Sequence, residues 1–150
     1  MTDVFQIELP ASSRLHELRG SDDFLDCYAV ASDRSPRAAA EVLLDYPRWT
    51  RMLLALRNAA VAPLGLTTQV PDDADKIGLF PVDSECAREI VAGFDDKHLN
   101  FRISVLSDDG HVYLSTWVHP HNLGGRLYLA AVMPFHVVIV RDALRRLGRA

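Results

Sequence analysis

His119-Pro120-His121 puts two imidazoles on alternate residues, and His98 lies upstream. Alternate residues of a strand share a face, so this spacing could serve proton transfer or metal ligation. Pro120 interrupts a regular strand, and no carboxylate stands at a ligand spacing. There is no HExxH and no cysteine cluster. The expectation is therefore no metal and no cofactor, with the histidines closing a strand end. Arg102 and Trp117 add a guanidinium suited to anions and an aromatic wall.

A second group of polar residues sits beside apolar helical stretches: Arg57, Asn58, Arg126, Tyr128 and His136. Polar groups buried there need partners. They either buttress a helix–sheet junction or reach into a cavity, and His136 reads more readily as a satisfied core histidine than as a catalyst. The candidate ligand-binding set is Arg57, Asn58, Arg102, Trp117, His119, Arg126, Tyr128 and His136, with no catalytic residue assigned. Nucleophilic catalysis has little support: there is no GxSxG, and neither Cys27 nor Cys86 has a neighbouring histidine. The two cysteines form no CxxC, and no disulfide is expected between them. Gly124-Gly125 ahead of Arg126 is neither a phosphate loop nor a dinucleotide fingerprint, and is read as a flexible helix entry.

The elements that must carry these residues follow from periodicity. Asp26–Ala31 reads as a first strand. Ser35-Pro36 is a helix opening, and Arg37–Tyr46 the helix, ended by Pro47. Trp49, Met52, Leu53, Leu56 and Ala60 recur at helical spacing, with Trp49, Met52 and Leu56 read as a core stripe, up to Pro63 and Gly65. After the polar stretch Gln69–Asp75 the pattern alternates, giving strands near Ile77–Ser84, Arg88–Phe94, Asn100–Leu106 and Val112–Val118. A hairpin through Asp109-Gly110 sets Phe101 near Val118 and Arg102 near Trp117; a longer loop would slide the pairing by two. One face is then apolar (Phe101, Ile103, Thr116, Val118). The other collects His98, Asn100, Arg102, Trp117 and His119. That face is read first as solvated, with Arg102 stacked on Trp117, and second as a site. Asn122–Arg149 is a long helix, kinked at Pro134, with Leu127, Ala131, Phe135, Val138 and Ile139 as its inward stripe.

Strand, two short helices, a meander and a final helix make an α+β fold in one domain over 1–150. That order resembles the helix-grip architecture of the START/Bet v 1-like superfamily, in which an antiparallel sheet wraps a long C-terminal helix and leaves an apolar cavity. Net charge is −4 and 49% of residues are apolar, which speaks against nucleic-acid binding and against disorder. The longest apolar run, Leu127–Val140, is short for a membrane span, and the first ten residues carry no basic signal region. A soluble, cytoplasmic, bacterial-type protein is expected.

Several stretches together resemble one family: PRWTRMLLALRN from Pro47, Pro63-Leu64-Gly65-Leu66, IGLFPV from Ile77, GFDDKHLNFR from Gly93, and Asn122–Val140 with its GRLYLAAVMPFHVVIV core. They resemble the uncharacterised bacterial domain-of-unknown-function 2867 family from about Phe5 to Leu147. Arg57, Asn58, Asn122, Arg126, Tyr128 and His136 fit that pattern as well as the core positions do. The resemblance implies a helix-grip-like fold and no established reaction. Some members sit behind dehydrogenase- or epimerase-like domains, and none is read in these 150 residues. The functional expectation is a domain that binds a small apolar ligand. The alternatives are an enzyme acting on a hydrophobic molecule in the same cavity, or an interaction module forming a homodimer or docking a partner.

Overall fold

A computed structural model describes residues 4–18, 20, 23–61, 75–77, 80–95 and 99–149, apart from the side chains of Leu54, residues 57–61, Phe94 and Arg149. The strands are β1 (Phe5–Gln6), β2 (Phe24–Ala31), β3 (Lys76–Ile77), β4 (Phe80–Glu85), β5 (Glu89–Asp95), β6 (Leu99–Asp108) and β7 (His111–Pro120). The helices are α1 (Pro36–Leu43), α2 (Arg48–Val61) and α3 (Leu123–Arg149). The strands form one open antiparallel sheet in the order β1-β2-β7-β6-β5-β4-β3. The fold is α+β and helix-grip-like, as expected.

The β6–β7 hairpin shows how local chemistry sets register. Asp109 and Gly110 both have positive φ, 49° and 75°, the handedness a two-residue hairpin turn needs. The turn closes on Asp108 opposite His111, which puts Phe101 opposite Val118 and Arg102 opposite Trp117, the pairing the shorter loop predicts. Ser35 caps α1 by accepting the Ala38 N–H, with Pro36 in the first turn.

The core lies between the apolar sheet face and α1 with the second half of α3. Tyr28, Val30, Ile90, Ile103, Val105, Val112 and Leu114 meet Ala39, Ala40, Leu43, Val140, Ala143, Leu144 and Leu147. The first half of α3 departs from expectation. Leu127, Phe135 and Val138, read as inward, are exposed, and so is Ala131. The inward positions are Leu129, Met133, His136 and Val140, which continue the phase of Leu144 and Leu147. Trp49, Met52 and Leu56 of α2, read as a core stripe, are also exposed. α3 runs unbroken through Pro134, and Gly124-Gly125 belong to its first turn, where Asn122 Oδ1 accepts the Gly125 N–H at 2.9 Å. By length and composition Leu123–Gly148 is long and apolar enough to cross a membrane, because the helix extends well beyond the 14-residue apolar run. Its last turns are committed to the core.

The opposite sheet face is not simply solvated. Residues 13–17 lie across it, with Leu15 fully buried against Val91 and Trp117. Buried Glu89 fastens this strap: its carboxylate accepts from Ser13 Oγ at 2.6 Å, the Arg14 N–H at 2.8 Å and Ser104 Oγ at 2.5 Å. The signal for it was weak, since a single short 3-10 turn carries no periodicity.

Candidate functional site

Two constellations meet where β2 begins, β7 ends and α3 starts. The first is built on Asp23, just before β2. Its carboxylate accepts the Gly20 N–H at 2.7 Å and the Trp117 indole N–H at 2.9 Å, and it pairs with His119 Nδ1 at 2.5 Å. Burial pushes the Asp23 carboxyl up, but the hydrogen bonds from His119, Gly20 and Trp117 outweigh it and hold it below the usual carboxylate range. The Trp117 and His119 rings stack at 6.5 Å and 13°; His121 stands edge-on to His119 and pairs with Asp95 at 2.6 Å. Each of these imidazoles thus has its own carboxylate. Among the described residues no group of three His, Cys, Asp or Glu side chains could hold a metal ion; His98 lies outside them.

A carboxyl with a lowered pKa stabilises the fold above its unfolded pKa and loses that contribution as pH falls through the folded value. Asp23→Asn is therefore expected to lower the melting temperature at pH 7, with the gap to the parent protein closing once pH drops below about 4. A gap that stays constant from pH 7 to pH 2.5 in thermal melts would contradict this.

The second constellation is on the core face. Asp26 is almost fully buried in β2, and its Oδ2 pairs with His136 Nε2 of α3 at 2.9 Å. Its Oδ1 is closed off from solvent and has no hydrogen-bond partner among the described residues. Leaving a buried acceptor unmet costs about 1–3 kcal/mol, more when it is charged, so this oxygen is an unsatisfied polar demand. The Phe24 ring stands edge-on to His136, at 6.1 Å and 84°.

Between these constellations lies an open cleft of about 310 Å³, lined by Asp23, Phe24, Pro120, Arg126, Leu129, Ala130 and Met133. Its walls are mostly apolar. Arg126 is exposed at its mouth, with no ion pair or hydrogen bond to its guanidinium among the described residues. Asp23, the other charge in the lining, already has both oxygens engaged.

The structure sorts the expected site residues. Arg126 lines the cleft, His136 stands just past it against Phe24, and Trp117 and His119 hold Asp23 at its edge. Tyr128 is half-buried on α3 outside the lining. Arg102 shares the face of Trp117 and His119, away from the cleft, and there its Nη1 donates to Asn100 Oδ1 and the Phe101 carbonyl, both at 2.8 Å, while Nε lies 3.7 Å from Asp83. Its expected stacking on Trp117 is replaced by that of His119. The side chains of Arg57 and Asn58 fall outside the described residues, as do residues 69–74 of the polar stretch. The cleft opens beside the first turns of α3. Ala130 lines it, whereas Ala131 faces outward. Cys27 is buried and Cys86 exposed, both free; burial pushes the Cys27 thiol up.

Sequence reasoning missed Asp23, Phe24, Asp26, Leu129 and Met133. Asp26 carried a signal: a carboxylate at an inward position of the run Phe24–Ala31 needs a buried partner, and His136 is the titratable residue on the inward phase of the apolar part of α3.

Comparison with known proteins places the chain in a family. The sequence pattern of the family described as "Protein of unknown function (DUF2867)" matches residues 18–143, and the chain belongs to that family. No curated protein and no solved structure matches it.

Proposed function

We propose that this DUF2867 member binds a small apolar molecule with a carboxylate head, seated in the cleft between α3 and the ends of β2 and β7. The observation that carries the reading is Arg126, a cation with no ion pair among the described residues, at the mouth of an apolar cleft. A guanidinium is the side chain best suited to hold a carboxylate by two parallel hydrogen bonds. Phe24, Leu129 and Met133 supply the apolar contact for the tail. The volume lies at the small end of ligand sites, which run from about 300 to 1,000 Å³. It suits one chain or ring, not a large cofactor.

Titration calorimetry with octanoate, decanoate and dodecanoate tests this. At least one acid is expected to bind with a micromolar Kd, about −8 kcal/mol. Arg126→Glu should weaken it at least tenfold by placing like charge at the head. Ala130→Trp, an exposed substitution in the lining, should block the cleft with little loss of stability. No binding up to millimolar acid, or binding indifferent to both substitutions, would overturn the reading.

A further inference from the structure

We propose that the ligand carries a hydroxyl group at the end remote from its carboxylate, and that this hydroxyl seats on the Asp26–His136 pair. The inference rests on the cleft reading above and adds the far end of the site. It assigns the ligand to the medium-chain hydroxy acids oxygenated at the terminal carbon.

Helix geometry sets the span. Arg126 and His136 are ten residues apart on an unbroken helix, about 15 Å along its axis and within a quarter turn of each other. Leu129 and Met133 lie between them on the same side and line the cleft. An extended chain of about twelve carbons covers that distance. A carboxylate held at Arg126 therefore brings the other end of such a chain to His136.

The chemistry at that end is specific. Asp26 Oδ2 is taken by His136, while Oδ1 is enclosed and lacks a donor. The bond from Nε2 leaves the His136 Nδ1 without a partner among the described residues. A carboxylate oxygen can only accept, so the arriving group must donate. His136 already pairs with the other carboxylate oxygen, and a neutral donor meets the remaining one without bringing a further charge into the core. A hydroxyl donates to Asp26 Oδ1 and also suits the free imidazole nitrogen. Phe24 touches both regions: its side chain lines the cleft and its ring stands against His136. A turn of that ring would open the path.

The test compares 12-hydroxydodecanoate with dodecanoate on the full chain by calorimetry. The hydroxy acid is expected to bind about tenfold more tightly, as one hydrogen bond to a charged group implies. The double variant Asp26→Leu/His136→Leu should erase the preference, with both acids still bound and Arg126→Glu still weakening each of them. The His136 ring-proton resonances of the unsubstituted protein give a variant-free readout, shifting further with the hydroxy acid than with dodecanoate, whose methyl end reaches the same place without a donor. Equal or weaker binding of the hydroxy acid overturns this inference alone, provided dodecanoate binding still depends on Arg126 and Ala130. Failure of both acids to bind overturns the cleft reading with it.

Discussion

Replacing His136 with leucine is expected to destabilise the protein by about 3 kcal/mol at neutral pH, towards the lower end of what stripping the partner from a buried carboxylate costs. The reason is Asp26. Its carboxylate is set in β2 among apolar core residues, and among the described residues His136 is its hydrogen-bond partner. Removing the imidazole leaves a charge with no donor on either oxygen, in a place water does not reach. The His136 side chain keeps 20% of its surface exposed, so some water can enter after the substitution, which is why the lower end applies. The companion Asp26→Leu/His136→Leu should recover most of the loss, since apolar replacements on both sides leave nothing unsatisfied. Urea unfolding of the four members of this cycle gives the coupling. A His136→Leu loss under about 0.5 kcal/mol, the range of ordinary surface changes, would show that the pair does not tie α3 to the sheet.

The two halves of α3 are expected to answer truncation in opposite ways. Leu144 is fully buried and Leu147 nearly so, whereas Phe135 is 52% exposed. Leu144→Ala should cost about 2–5 kcal/mol, from lost burial plus the cavity left between α1 and the sheet. That is a large share of the stability of a domain this size. Phe135→Ala should fall within about 0.5 kcal/mol of the parent. Denaturation midpoints measured at constant m-value decide it. A Phe135→Ala loss equal to that of Leu144→Ala would place Phe135 in the core.

The contrast also shows what the sequence could and could not say. The Asp109-Gly110 turn and the alternation on either side of it were enough to set the pairing of Arg102 with Trp117, because turn chemistry and strand period are local. The face of α3 was not legible in the same way. From Leu127 to Val140 apolar residues occupy every side of the helix, so periodicity names no inward direction. What fixes the direction is non-local: Asp26, 110 residues away, holds His136 and brings Leu129, Met133 and Arg126 to the sheet side. The covering of the polar face was hidden for a related reason. Ser13, Leu15 and Glu89 become a clasp only when distant segments meet. Trp49, Met52 and Leu56 misled because helical spacing reports a stripe and not what lies over it.

Carbon–proton methyl spectra of the methionine- and leucine-labelled protein during a dodecanoate titration show whether the cleft holds the acid. The predicted result is saturable movement of the Met133 and Leu129 methyl signals, lost in Ala130→Trp, with Leu144 and Leu147 unmoved. Movement confined to the outward-facing Leu123 and Leu127, or none at millimolar acid, would contradict the account and leave the exposed side of α3 as the face that meets other molecules.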